Sequence, residues 1–485
     1  MIGFDASAAG LVLSLAALAA VMFLRRHAGR PDTHGESRWA ASRDLRPLMR
    51  QETGDGIALG WLGGRYLQAP AEDNLLTFGV QRSGKTSTVV VPTLLTWTGA
   101  AVATSTKDEL VRLTGRHRLN LGPVYVFSPL DDDTAWVDRL GLRSVSWNPL
   151  EDCVTAGVAA ELADMFTASG KASQASHWYL SAANLLTALF VLEHDRGGDL
   201  GGVLSLLNRT PLDGYRLLAG AATGTAAEIL SGFASTPEKE AGSIISTARS
   251  SLSLWLDERV VRATGAGDAV SRLDLDTLLA DGGTLYLGAP AEEAERCRPL
   301  FSGLIGSLLR RATKKARAEG GVLSPRLLLA LDEVANFARI PRLASYISTG
   351  PGHGIQTLLC FHDLAQLERL YGMEEARTVW NNCRARLLLP GQGDLRTLDH
   401  FSRAIGNETV IYESSSWNAQ GGRSTSQART GRPLASPDAL RRSRDAVLVY
   451  ANAPPARLTP RRWDEVPAWR TQVEAANSPP SHLAA

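Results

Sequence analysis

The stretch Leu75-Leu76-Thr77-Phe78-Gly79-Val80-Gln81-Arg82-Ser83-Gly84-Lys85-Thr86-Ser87 decides the fold. Leu75 to Phe78 is a short apolar run that reads as a buried strand. Gly79 and Gly84 bracket a tight loop, and Lys85-Thr86 open a helix. The pattern fits G-x-x-x-x-G-K-[ST], the phosphate-binding loop. Its chemistry needs these residue types. Glycines let successive backbone N–H groups turn toward one anion, and the positive helix end adds to their attraction. The Lys85 ammonium reaches the β- and γ-phosphates, and the Thr86 hydroxyl is suited to ligating Mg²⁺. The predicted nucleotide-binding set is therefore Gly79, Val80, Gln81, Arg82, Ser83, Gly84, Lys85, Thr86 and Ser87, for a nucleoside triphosphate with Mg²⁺.

A second strand completes this chemistry. Leu327-Leu328-Leu329-Ala330-Leu331 is apolar and ends in Asp332-Glu333. Such a strand delivers two carboxylates beside the phosphate loop, Asp332 to hold the Mg²⁺ shell and Glu333 to orient or polarise the attacking water.

Around these two motifs the chain alternates strand and helix. Ala100 to Thr104 and Val124 to Phe127 read as further strands, and Thr88 to Trp97 as a helix that Pro92 kinks or ends. Thr106 followed by Glu109 fits a capping box, and Trp147-Asn148-Pro149-Leu150 closes the segment with a turn. Strands resume at Thr284 to Gly288, followed by a helix from about Ala291 to Ala318. Leu387 to Leu389, Thr409 to Tyr412 and Val447 to Tyr450 are later strands, with a helix over Leu395 to Ile405. This alternation predicts an α/β fold with a parallel sheet covered on both faces.

From Glu151 to Gly265 helical periodicity replaces the alternation, as in His177 to Leu192 and Ile244 to Trp255. The expected organisation is an all-α domain, 151–265, inserted into a discontinuous α/β domain, 31–150 and 266–470. The other arrangement has these helices covering the main sheet. Arg310, Arg311, Lys314, Lys315 and Arg317 form a basic cluster that is either a solvated helix face or a contact to a phosphate backbone. Ser414 to Arg432, rich in Ser, Gly, Gln and Arg, reads as a surface loop or one aimed at DNA. Residues 471–485 read as a disordered tail.

The 485 residues provide ample material for a large core. With 51 Lys+Arg against 50 Asp+Glu, overall charge gives no sign of nucleic-acid binding, so any such contact depends on local patches. The four cysteines show no metal-ligand spacing and read as buried thiols in a reducing compartment. Ala6 to Leu24 is almost unbroken apolar sequence, long enough to span a bilayer. Arg25, Arg26, His27 and Arg30 follow it, which places the N-terminus outside and the bulk of the chain in the cytoplasm. A cleaved signal peptide would need a positive leading segment, and only Asp5 is charged there. The expectation is a single-pass membrane anchor in residues 1–30.

The segment Asp332-Glu333-Val334-Ala335-Asn336-Phe337-Ala338-Arg339-Ile340-Pro341-Arg342-Leu343 resembles the extended second nucleotide motif of the TraG/TraD-like coupling ATPases of type IV secretion and conjugation. His34 to Ala40, Ser105 to Leu110, Trp147 to Leu150, Gln366-Leu367 and Tyr371-Gly372 agree in order and spacing, from about residue 34 to 465. The resemblance implies a RecA-like, ATP-using motor at the inner or plasma membrane, assembled as a homo-hexamer with nucleotide between subunits. It also implies single-stranded, relaxase-bound DNA as cargo and type IV secretion channel proteins as partners.

The sequence departs from that family in three places. It has one predicted span where members commonly have two. The segment Gly350-Pro351-Gly352-His353-Gly354 lacks the Arg that can act on a neighbouring nucleotide; Arg384, Arg386 and Arg403 are the open substitutes. His362 stands where a nucleotide-sensing Gln is usual, and is taken with Lys85 and Glu333 as a catalytic candidate. Two other functions fit the chain less fully: a nucleotide-gated substrate receptor with little translocation, and an FtsK-like translocase on duplex DNA. The continuation from Asn336 to Leu343 and the helical segment argue against the translocase.

Overall fold

Leu75 to Phe78 does form a strand, and all four of its side chains are buried, because it lies inside a sheet with both faces covered. The computed structural model describes residues 34–49, 56–168, 176–267, 271–340, 342–417 and 423–477. The predicted span at 6–24 lies outside them. Among the described residues no helix is long and apolar enough to cross a membrane.

In chain order the strands are β1 (Ile57–Leu62), β2 (Arg65–Ala69), β3 (Leu75–Phe78), β4 (Ala100–Ser105), β5 (Val124–Phe127), β6 (Arg143–Ser144) and β7 (Thr284–Gly288), then β8 (Leu327–Leu331), β9 (Ile355–Phe361), β10 (Ala385–Leu388), β11 (Asn407–Trp417), β12 (Arg423–Pro433), β13 (Ala446–Tyr450) and β14 (Ala456–Leu458). Ten of them make one sheet in the order β14-β13-β10-β3-β9-β8-β4-β7-β5-β6. From β10 to β6 all neighbours are parallel, and β13 and β14 finish one edge antiparallel. The alternation of side chains along each strand supplies two cores. Leu76, Phe78, Val102 and Phe127 join one, and Leu75, Ala101, Ala103 and Val126 join the other.

Between β6 and β7 the described residues contain helices and no strand, from Ala156–Thr167 and Ser176–Asp195 to Glu258–Thr264. Phe166 packs edge-on against Phe190 at 6.0 Å and Trp255 at 5.2 Å. These side chains belong to the same apolar body as Leu76 and Phe78. The helix Ala294–Ala318 joins the two regions. Its Phe301 meets Phe127 of β5 at 6.2 Å on one side and Phe337 at 5.5 Å on the other. Its basic end is largely spent inside the chain: Arg310 pairs with Glu161 at 3.2 Å, Arg311 with Asp152 and Asp276, and Lys315 with Glu319 at 2.6 Å.

Several expectations are corrected. Residues 56–69, where the sequence reading placed no element, form the hairpin β1–β2, closed by Gly63 and Gly64 at positive φ. Ser414 to Arg432 is not an irregular loop. It belongs to a second hairpin in which β11 and β12 pair from Asn407↔Pro433 to Trp417↔Arg423, and side chains 411–415 and 425–430 are exposed. Backbone pairing and polar cross-strand contacts such as Arg432 on Glu408 and Gln427 on Glu413 build this arm, so no apolar period marks Ser414 to Arg432. The tail predicted to be disordered from residue 471 is helical as far as Asn477, within Pro467–Asn477, because Trp469 and Val473 dock one face of that helix. Pro92 does not end its helix. Lys85–Val90 winds as π-helix, Val91–Thr96 continues as α-helix, and Pro92 sits in the first turn after the change, where a missing N–H is tolerated.

All four cysteines are free and buried. Burial pushes the thiols of Cys153, Cys297 and Cys383 up to about 12, so they stay protonated and unreactive near neutral pH.

Candidate nucleotide site

β3, β9 and β8 are adjacent and parallel, so the segments following their carboxyl ends meet at one edge of the sheet. That is where open α/β sheets bind ligands. The phosphate loop follows β3, His362 follows β9, and Asp332-Glu333 follows β8. The Gly79 N–H donates to the Phe361 carbonyl at 3.0 Å, and the Leu389 N–H donates to Phe78 at 2.8 Å, pinning the loop's first residue between two strands.

The glycines do what the motif requires. A Cβ on Gly79 would lie 2.4 Å from Ser83 Oγ and 3.1 Å from Leu389 Cβ, and Gly84 has φ of +95°. Arg82 adopts φ of +65° inside the loop, a conformation rare for a residue with a side chain. Gln81 and Arg82 are exposed at the rim, and Ser87 Oγ turns back to the Gly84 carbonyl at 3.4 Å.

Lys85 is buried, and its ammonium donates to the carbonyls of Gly79 at 2.5 Å and Val80 at 3.1 Å, inside the loop it belongs to. The Thr86 hydroxyl donates to Asp332 Oδ2. Thr104, at the end of β4, donates to the Asp332 backbone carbonyl at 2.7 Å and fixes the carboxyl end of β8. Burial pushes the Asp332 carboxyl above its ordinary value, against the Thr86 hydrogen bond and the Lys85 charge that pull it down.

Glu333 stands in the left-handed region at φ of +55°. Its Oε2 accepts from Asn336 Nδ2 at 3.3 Å and from Thr106 Oγ1 at 3.4 Å. Thr106 is thus not the capping residue its spacing with Glu109 suggested. The helix Glu109–Arg118 starts after Asp108 with no side-chain cap, and the Thr106 hydroxyl faces the catalytic candidate instead.

His362 is fixed through its backbone. Its N–H donates to Gln366 Oε1 at 2.8 Å, and its carbonyl accepts from Gln392 Nε2 at 2.8 Å. Burial first, and then the Lys85 ammonium, push the imidazole below its ordinary value. It is therefore neutral near pH 7.

The buried side-chain atoms without a hydrogen-bond partner among the described residues include Ser83 Oγ, Asp332 Oδ1 and His362 Nε2. Three such atoms at one strand edge, beside a buried ammonium and a helix start, fit a polyanion with a divalent cation. Thr106, Asn336, Gln366 and Gln392 complete the site and were missed by sequence reasoning. Thr106 and Gln392 pair with partners 227 and 30 residues away, which no local spacing carries, whereas Asn336 and Gln366 lie three and four residues from theirs and could have been found from that spacing.

The substitute arginines are placed elsewhere. Arg384 pairs with Asp73 at 3.1 Å, Arg386 lies 5.5 Å from the Trp380 ring centre, and both flank the start of β10, at the sheet edge opposite the phosphate loop. Arg403 is exposed and pairs with Asp399 at 2.9 Å on the helix Leu395–Ile405.

Comparison with known proteins agrees with this geometry. Residues 44–465 match the family model described as Type IV secretory system Conjugative DNA transfer. The conjugal transfer protein TraG of Escherichia coli is 28% identical over 466 residues, covering 84% of this chain and 70% of that protein. Protein VirD4 of Rhizobium rhizogenes is 26% identical over 464 residues, covering 88% of this chain and 64% of that protein. Among solved structures, the bacterial conjugative coupling protein TrwBdeltaN70 superposes with a TM-score of 0.66 at 19% identity, over 88% of this chain and 92% of the other. The plasmid coupling protein TrwB in complex with ADP and Mg²⁺ gives a TM-score of 0.64 at 19% identity, over 90% and 96%. At that identity the likeness establishes the RecA-like NTPase fold. With the family match spanning residues 44–465, this chain belongs to the conjugative DNA transfer family of type IV secretory systems, the coupling proteins.

Proposed function

We propose that the chain is an ATPase that recruits a DNA–relaxase complex, or a protein cargo, and delivers it to a type IV secretion channel. In this reading residues 6–24 anchor it in the inner or plasma membrane, the bulk lies in the cytoplasm, and six copies form the working ring. The observation that carries the nucleotide reading is the hydroxyl of Thr86 on Asp332, whose other oxygen, buried, has no partner among the described residues. A hydroxyl and a carboxylate so joined are the pair that holds Mg²⁺ in phosphate-loop enzymes. The solved complexes of TrwB with ADP and Mg²⁺ and with non-hydrolysable ATP and GTP analogues support the same ligands.

The bound nucleotide supplies the phosphoanhydride whose γ-phosphoryl group is transferred to water. Lys85 exchanges its loop carbonyls for phosphate oxygens, adding a buried positive charge where negative charge develops. Thr86 and Asp332 hold the cation. Glu333 orients water through its carboxylate. His362, neutral and without a partner at Nε2 among the described residues, would hydrogen-bond phosphate or water without adding charge.

One observation favours the receptor reading. Gly350 to Gly354 carries no Arg, and Arg384 and Arg386 are engaged at the opposite sheet edge. The deciding experiment is steady-state ATP hydrolysis by the detergent-solubilised chain, with and without single- and double-stranded DNA, beside Lys85→Ala, with oligomeric state measured on the same samples. DNA-stimulated hydrolysis that Lys85→Ala abolishes supports the motor. Nucleotide binding without hydrolysis in an assembled ring leaves a nucleotide-gated receptor.

A further inference from the structure

We propose that Thr106 is a positioning residue that aims the Glu333 carboxylate. The inference rests on the ATPase reading above and adds a residue to its machinery. Both donors to Glu333, Thr106 and Asn336, converge on the same oxygen, Oε2. Among the described residues no hydrogen bond reaches Oε1. The carboxylate is thus held by one oxygen and presents the other, which is the arrangement that orients a water molecule.

The backbone makes this clamp necessary. Glu333 sits at φ of +55°, where a residue with a side chain is strained. The turn leaves the direction of its carboxylate to side-chain contacts. Asn336, on the short helix Val334–Phe337, moves with Glu333. Thr106 comes from the turn that follows β4 and ties the carboxylate to that strand's end.

β4 is built to hold this corner. Thr104 and Thr106 are two residues apart, and both reach the end of β8: one hydroxyl donates to the Asp332 carbonyl at 2.7 Å, the other to Glu333 Oε2 at 3.4 Å. The turn after β4 is itself tied, with Ser105 Oγ donating to the Lys107 carbonyl at 2.7 Å and accepting from the Lys107 N–H at 3.1 Å. A single strand end therefore fixes the backbone of the metal-ligand candidate and the side chain of the water-orienting one.

The test uses the full chain in detergent, with Thr106→Val to remove the hydroxyl at nearly equal volume and Thr106→Ser to restore it. Hydrolysis (kcat and KM) and nucleotide affinity are measured for each, together with unfolding midpoints for a cycle of Thr106→Val, Glu333→Met (which removes the acceptor at similar length) and the double variant. The expected result is a loss in kcat of about ten- to a hundredfold for Thr106→Val, the scale of a misplaced catalytic group. KM and nucleotide affinity stay within about twofold, Thr106→Ser keeps most of the rate, and the midpoints are non-additive. Wild-type kcat in Thr106→Val, or an equal loss in Thr106→Ser, overturns the assignment. If the wild-type chain does not hydrolyse ATP, the ATPase reading falls and the cycle decides alone: non-additive midpoints support the clamp and additive ones overturn it.

Discussion

The Thr86 hydroxyl donates to Asp332 Oδ2 across 246 residues of sequence, and Asp332 Oδ1 has no partner among the described residues. This contact joins the phosphate loop to the end of β8 without any ligand. Thr86→Ala strands a buried carboxyl with neither oxygen satisfied by a side chain. Removing one partner of a buried polar pair costs about 1–3 kcal/mol, so the nucleotide-free variant is expected to unfold at lower denaturant by that amount. Thr86→Ser, which keeps the donor, is expected to lose much less. Equal urea midpoints for wild type and Thr86→Ala count against the contact.

Gly79→Ala places a methyl 2.4 Å from Ser83 Oγ and 3.1 Å from Leu389 Cβ. Ser83 must rotate away or the loop must open, and overpacking of this kind costs about 1–3 kcal/mol. The strain falls on the loop's bound shape, so nucleotide affinity drops while the far-ultraviolet circular dichroism stays that of the wild type. Titration with a fluorescent nucleotide measures the drop, and unchanged affinity contradicts the predicted cradle.

Burial and the Lys85 charge hold His362 below its ordinary pKa in the folded chain. The unfolded chain therefore binds the proton first as pH falls. The stability tied to this histidine is complete above the ordinary histidine value, declines once pH drops beneath it, and is gone below the depressed folded value. His362→Gln removes that dependence. Between pH 8 and pH 5 the wild type should lose more thermal stability than His362→Gln, and parallel curves would falsify the depressed value. His117 and His400 are shifted the same way and cancel in the comparison.

Trp469, 1% exposed, packs edge-on against Tyr66 at 5.2 Å and Trp61 at 6.5 Å. It docks the C-terminal helix Pro467–Asn477 on the β1–β2 hairpin. Trp469→Ala is expected to cost about 3–5 kcal/mol, as for other fully buried aromatic truncations. It should also expose this helix to proteolysis ahead of the rest of the chain. Mass spectrometry of a limited digest reads the order of cleavage.

The sequence made the site's first layer legible and its second layer invisible. Leu75–Phe78, Val124–Phe127, Thr284–Gly288, Leu327–Leu331 and the helix Leu395–Ile405 lie where their patterns placed them. Each is bounded by turn signals and either buried on both faces or marked by helical periodicity. Lys85, Thr86, Asp332 and Glu333 could be named because their motifs are local. Thr106 could not: its spacing with Glu109 imitates a cap, while its real partner lies 227 residues away. Thr409 to Tyr412 was read as a strand and lies within β11, but the rest of the arm, Ser414 to Arg432, was misread because Ser, Thr, Gly, Gln and Arg dominate it, leaving no apolar alternation to see. The helix Pro467–Asn477 was missed for a related reason. Only Trp469 and Val473 are buried in it, too narrow a stripe to stand out in polar sequence.

The apolar body that starts under the phosphate loop with Leu76 and Phe78 runs on without a break to Leu189 and Tyr215 in the helical segment. Close-packed interiors transmit displacement rather than absorb it, so such a body contains no slip plane. The helices between β6 and β7 are consequently an extension of the sheet's own frame. Any displacement of β3 and its neighbours would therefore reach those helices through continuous packing rather than across a joint.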